Sequence, residues 1–169
     1  GCYMSNELAS VASHKIAAVA CMAGYTDEPL PANYSAIPVM EIHGLEDQIV
    51  PYGSSFTTGV LLEETLEGDE GAIQNMYWWG GANECSGSTP EFETVEWDYS
   101  FKRFTNCTNG ADVVLVTMNY AQHNPYMNDY DGSESPFFQA ILTGNPTGID
   151  ASQMAWDFLS QYSKSVELD

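Results

Sequence analysis

The chain reads as an α/β domain, and three observations carry that reading. Met4, Leu8 and Val11 recur at helical spacing and give way to the apolar run Ile16-Ala17-Ala18-Val19-Ala20-Cys21, which is of strand type. Two further runs, Ile37-Pro38-Val39-Met40 and Val113-Val114-Leu115-Val116, have the character of buried strands, and each leads into a polar loop. Near the end, Ile149-Asp150-Ala151-Ser152-Gln153 opens a capped helix. Helices alternating with buried strands define the α/β class.

Bulk properties bound the rest. A length of 169 residues suffices for one domain with a real core, and no linker, repeat or low-complexity block interrupts it. A hydrophobic fraction of 44%, with ten Tyr, seven Phe and four Trp, argues against disorder. The 24 acidic against 4 basic residues give a formal charge of -20, which repels nucleic acid and anionic membrane surfaces. No apolar run approaches the roughly 20 residues that span a bilayer. The four cysteines show no C-x-x-C spacing, so neither a zinc ribbon nor a redox motif is supported.

In chain order, residues from about Tyr3 to Ser13 are predicted as an amphipathic helix and Ile16 to Cys21 as a strand. Gly24, Pro29 and Pro31 make the segment up to Ala36 a loop over the sheet edge. Asn33-Tyr34-Ser35 is a glycosylation sequon, meaningful only in a secreted eukaryotic protein. After the strand at Ile37–Met40 comes the loop Ile42 to Tyr52, then an acidic connection through Glu63, Glu64, Asp69 and Glu70. A helix is predicted from about Glu70 to Ala82 with Ile73, Tyr77 and Met76 turned inward. Trp78 and Trp79 are candidates for lining a cleft, although aromatics at this spacing are more often core. Alternation through Phe92–Trp97 and Tyr99–Phe101 predicts antiparallel or edge strands. Asn128 to Glu134 is an acidic loop that lacks the spaced ligands of a calcium loop. In the last helix Met154, Phe158 and Tyr162 share a face, with Leu159 beside them.

The residues that carry chemistry stand where strands end. Asp47 and His123 each follow a predicted strand, and in an open α/β sheet that edge gathers ligands and catalytic groups. An acid there orients a histidine that activates a nucleophile. Of the other histidines, His14 ends the first helix and His43 belongs to the strand end before the acid. Ser5 is discounted as a nucleophile because it lies in the first helical turns without glycines around it.

The loop His43-Gly44-Leu45-Glu46-Asp47-Gln48-Ile49-Val50-Pro51-Tyr52 has the pattern H-G-x-x-D-x-x-V-P-Y. It resembles the acid-bearing loop of α/β-hydrolases, specifically the secreted esterases grouped with polyhydroxybutyrate depolymerases and feruloyl esterases. Cys2-Tyr3-Met4-Ser5-Asn6-Glu7-Leu8-Ala9 is similar to the helix that follows their nucleophile elbow G-x-S-x-G, which makes Gly1 the elbow's last glycine. The resemblance extends to about Tyr162, where Trp156 and Phe158 sit in a helix like the family's closing one. The family's G-G-H-x-W-P is matched in part: Ala121-Gln122 replaces the glycines, Trp is absent and Pro125 comes one place early.

The resemblance implies the C-terminal part of an α/β-hydrolase fold, a mostly parallel sheet flanked by helices, with residues 1–169 one partial domain. It implies Asp47 and His123 as acid and base of a Ser-His-Asp triad whose Ser lies two residues before Gly1, so that these 169 residues alone would be essentially inactive. Asn83-Glu84-Cys85 and Phe104-Thr105-Asn106-Cys107 look like the family's bridged cysteines and imply a Cys85–Cys107 disulfide, which needs an oxidising, extracellular compartment. Pairing of Cys2 with Cys21 stays open. The implied reaction is carboxylic ester hydrolysis on an extracellular polyester or acylated plant polysaccharide, without metal or organic cofactor. The competing expectation is a non-catalytic module that binds glycan or protein and keeps the hydrolase shell. A peptidase on the same fold ranks lower.

Overall fold

The apolar runs become strands of a single mixed sheet. In a computed structural model, residues 1–26, 28–53, 71–86, 90–96, 98–125, 144–145 and 149–164 are described. The strands are β1 (Val19–Met22), β2 (Val39–Gly44), β3 (Glu91–Val95), β4 (Tyr99–Phe104) and β5 (Val113–Met118), in the spatial order β1-β2-β5-β4-β3. β1, β2 and β5 run parallel, while β4 is antiparallel to both β5 and β3. Every residue of β2 and of β5 is buried, as expected of parallel strands covered on both faces.

Period-two alternation divides the core in two. Val39, Val113 and Leu115 pack on one side with Ile73, Met76 and Trp79 of α2 (Ala72–Ala82). Met40, Ile42, Val114 and Val116 pack on the other with Ala151 and Phe158 of α3 (Ala151–Leu159). The cap expected at the start of α3 forms through Asp150, whose Oδ1 accepts from the Gln153 amide at 2.8 Å. The Gln153 side chain does not reach back to complete a capping box; it donates forward to Asp157 at 2.7 Å.

The first helix turns differently from its sequence pattern, whereas α2 buries Ile73 and Met76 as expected. α1 (Cys2–Val11) buries Cys2, Asn6 and Ala9, leaving Met4, Leu8 and Val11 at 66%, 44% and 47% exposure. A disulfide joins Cys2 to Cys21 of β1, and Ala9 fits where a larger side chain would hold the helix off the sheet. The apolar spacing is thus real, but that stripe faces outward. In α2, Trp79 is fully buried in the core and meets Trp78 edge-on at 4.7 Å, so Trp79 does not line a cleft.

β2 also extends further than the apolar run suggests, through Glu41 and His43 to Gly44. The predicted antiparallel pair is β3 and β4, with β3 at the sheet edge and a register shift between Phe92 and Thr94. The acidic connection at residues 63–70, Trp97 and the acidic loop at residues 128–134 lie outside the described residues.

Cys85 and Cys107 are joined as well, tying the segment after α2 to the segment after β4. Two disulfides suit an oxidising compartment. Beside this bridge, Asn83 Nδ2 donates to the carbonyls of Ile37 and Ala111 at 2.9 and 2.8 Å, and its Oδ1 accepts from the Tyr34 hydroxyl at 2.5 Å. One buried amide therefore fixes the end of α2 against the entries to β2 and β5. Asn83→Ala leaves two carbonyls without this donor and removes one partner of the Tyr34 hydroxyl, and is expected to cost about 2–4 kcal/mol in urea unfolding.

Candidate active site

The parallel pairing of β2 with β5 sets His43 against Thr117 and Gly44 against Met118, so the two strands end side by side. The loops that follow touch at once. Leu45 N donates to Met118 O at 2.9 Å, and Glu46 N to Ala121 O at 3.1 Å. A Cβ on Gly44 would fall 2.3 Å from Ala121 O and 2.4 Å from Gln122 O, so only glycine allows this approach.

That approach brings Asp47 to His123, 76 residues later, with Asp47 Oδ2 2.8 Å from His123 Nδ1. The second carboxylate oxygen accepts from the Ile49 and Val50 amides at 2.8 and 2.9 Å, an Asx-type turn that locks the Asp47 rotamer. Burial raises the Asp47 carboxyl, but bonds from His43, His123 and these two amides outweigh it and hold the group below the usual carboxylate range. The Asp47 side chain is fully buried, whereas the His123 side chain is 25% exposed. With Nδ1 committed to Asp47, Nε2 is the nitrogen left to exchange a proton.

His123 borders a cavity of about 580 Å³ also lined by Gly1, Ser5, Met22, Val50 and Asn124. The N-terminal end of α1 therefore opens onto the same space as the imidazole. Ser5 faces this cavity too, yet its Oγ donates to Gly1 O at 3.3 Å, the back-bond of a helical serine.

Behind the Asp47–His123 contact lies a polar cluster on the α2 side of the sheet. His43 Nδ1 is 2.7 Å from Glu41 Oε1, and its Nε2 is 2.9 Å from Val50 O and 3.4 Å from Asp47 Oδ2. Asn75 of α2 donates to Glu41 Oε2 at 2.6 Å. Alongside, the Tyr52 hydroxyl bonds Thr117 Oγ1 at 2.7 Å, and Lys102 Nζ donates to Ser100 and Thr117 at 2.6 and 2.8 Å. Burial opposes charge on His43, but its bonds to Asp47 and Glu41, the Glu41 charge and the Val50 carbonyl push it up to about 9. Burial pushes the Glu41 carboxyl above its usual range, only partly countered by His43 and Asn75. Burial alone takes Lys102 down to about 7.

The structure thus brings together Asp47 and His123, the two residues singled out from the sequence. Glu41, His43, Asn75 and Lys102 were not foreseen as part of this assembly. A signal exists for two of them: Glu41 and His43 stand two apart in the run Val39-Met40-Glu41-Ile42-His43, so a strand must place both on one covered face. Compared with models of known families and with curated proteins, the chain matches none.

The opposed shifts of His43 and Lys102 make a measurable pattern. His43 binds its proton more tightly folded than unfolded, so its contribution is full below pH ~6.5 and is lost as pH rises through about 9. Lys102 is penalised while the unfolded chain still holds the lysine proton, so its cost is relieved as pH rises from about 7 towards ~10.5. Urea unfolding between pH 7 and 9 should show stability rising with pH in His43→Gln and falling with pH in Lys102→Met. Each slope approaches about 1.4 kcal/mol per pH unit, and the unsubstituted protein lies between.

Proposed function

We propose that the chain is the C-terminal part of an α/β-hydrolase domain and carries the acid and base of a serine carboxylic ester hydrolase. The observation that carries this reading is the 2.8 Å contact between buried Asp47 and half-buried His123 at the strand ends, beside a cavity. On this reading the nucleophilic serine precedes Gly1, and the position of Gly1 on the His123 cavity supports it. The sequence pattern H-G-x-x-D-x-x-V-P-Y favours the depolymerase and feruloyl esterase type over a peptidase.

Each step follows from the placement of these groups. His123 Nε2 takes the serine proton as Oγ attacks the ester carbonyl, and returns it to the departing alkoxide when the acyl–oxygen bond breaks. Water then repeats the exchange on the acyl-enzyme and frees the acid. Asp47 stays ionised throughout, holding the imidazole with Nδ1 protonated and balancing its charge after the first transfer. The N-terminal end of α1 lines the same cavity, and the positive end of its dipole favours the negative charge that develops on the carbonyl oxygen. The substrate class is an extracellular polyester or acylated polysaccharide, the secreted setting being in keeping with two disulfides. The alternative of a glycan- or protein-binding module loses one of its aromatic candidates, because Trp79 is buried.

Fluorophosphonate labelling of the natural protein, with the labelled peptide mapped by mass spectrometry, tests the proposal. A label on a serine two residues before Gly1 is expected; a folded protein that takes no label overturns the hydrolase reading and leaves the binding module. In the natural protein, Asp47→Asn should lower kcat about 10⁴-fold. His123→Ala should lower it about 10⁶-fold.

A further inference from the structure

The histidine behind the dyad has surroundings that leave little choice in its charge. His43 is fully buried, and both of its ring nitrogens face oxygen. A neutral imidazole has one donor and one acceptor nitrogen. Val50 O, 2.9 Å from Nε2, can only accept, so Nε2 carries a hydrogen. Nδ1 lies 2.7 Å from Glu41 Oε1, and the Asn75 amide donates to the other oxygen of that carboxylate at 2.6 Å, which favours its ionised form. With Glu41 ionised, Nδ1 donates as well and His43 is an imidazolium.

Two tyrosines packed against the ring have hydrogen-bond partners of their own. Tyr25 stacks on it at 6.0 Å with its hydroxyl directed to Pro51 O, and Tyr52 meets it edge-on at 5.6 Å with its hydroxyl on Thr117. From β4, the Lys102 amine reaches Ser100 and Thr117. Among the described residues Asp47 also approaches the ring, its Oδ2 lying 3.4 Å from His43 Nε2 and 2.8 Å from His123 Nδ1.

We propose that His43 is a positioning residue: as a buried imidazolium between Glu41 and Asp47, it competes with His123 for Asp47 Oδ2 and limits how tightly Asp47 holds a second positive charge on His123. Its functional meaning rests on the hydrolase reading, in which His123 must surrender the proton it has taken. An undiluted carboxylate would stabilise the His123 imidazolium further and retard that return. Glu41 and Asn75 support His43, so the chain of influence runs from α2 through β2 to the base.

Nitrogen-15 NMR of the histidine rings tests this without any substrate. In the unsubstituted protein, both His43 nitrogens should carry hydrogen from pH 5 to 8. A neutral His43 ring at pH 7 overturns the proposal. In His43→Gln the Nδ1 proton of His123 should move downfield, because Asp47 Oδ2 then holds it without a competing donor; an unchanged or upfield signal overturns it. If that variant does not fold, Glu41→Gln keeps the ring but removes the carboxylate that holds its charge. It should lower the His43 midpoint and move the His123 Nδ1 proton downfield, and failure of either change counts against the proposal. These readouts separate the two ideas: an inactive protein with a doubly protonated His43 loses the hydrolase reading alone, and an active esterase with a neutral His43 loses this one.

Discussion

The candidate site depends on the parallel register between β2 and β5. Side-chain direction in a strand repeats every two residues, so a slip of one position would turn Glu41 and His43 to the α3 face and Ile42 to the α2 face. Both faces are covered, and Met40, Ile42, Val114 and Val116 all require the α3 side. Apolar packing on one face thereby fixes polar chemistry on the other. The same register ends both strands together, and Gly44 lets the two loops close to the spacing that Asp47 and His123 need.

Burial at this site is compensated by contact between its polar groups. Asp47 satisfies one oxygen with two backbone amides and the other with His123 and His43. Glu41 meets His43 and Asn75, while Thr117 joins Tyr52 to Lys102. A low-dielectric interior makes such bonds strong and makes each one costly to leave half made. Removing one partner strands the others, whereas a matched apolar replacement of a whole pair is far less damaging.

The sequence carried the α/β class because strand runs such as Val113–Val116 and the Asp150 cap are local signals, written within a few residues. Asp47 and His123 were legible for a related reason: each follows its strand directly, and a motif surrounds the acid. The orientation of α1 was not legible. Met4, Leu8 and Val11 have the period of a core face, but the helix is held to β1 through Cys2 and Ala9, a constraint that small residues do not advertise. Trp79 illustrates the same limit, since helical spacing alone does not tell a core aromatic from one that borders a cleft. The polar cluster escaped because its members, Glu41, Asn75, Lys102 and Thr117, meet only through tertiary pairing of β2, α2, β4 and β5.

The two cross-links differ from the dyad in how far along the chain they reach. They join residues 19 and 22 positions apart, whereas Asp47 and His123 are separated by 76. Closing short loops costs less entropy than closing long ones, and both bridges lie within chain that precedes β5. All four thiols can therefore be oxidised while β5 is still unpaired and His123 far from its partner. Absence of free thiols in a sample thus reports local closure only; assembly of the dyad has to be read from the histidines themselves.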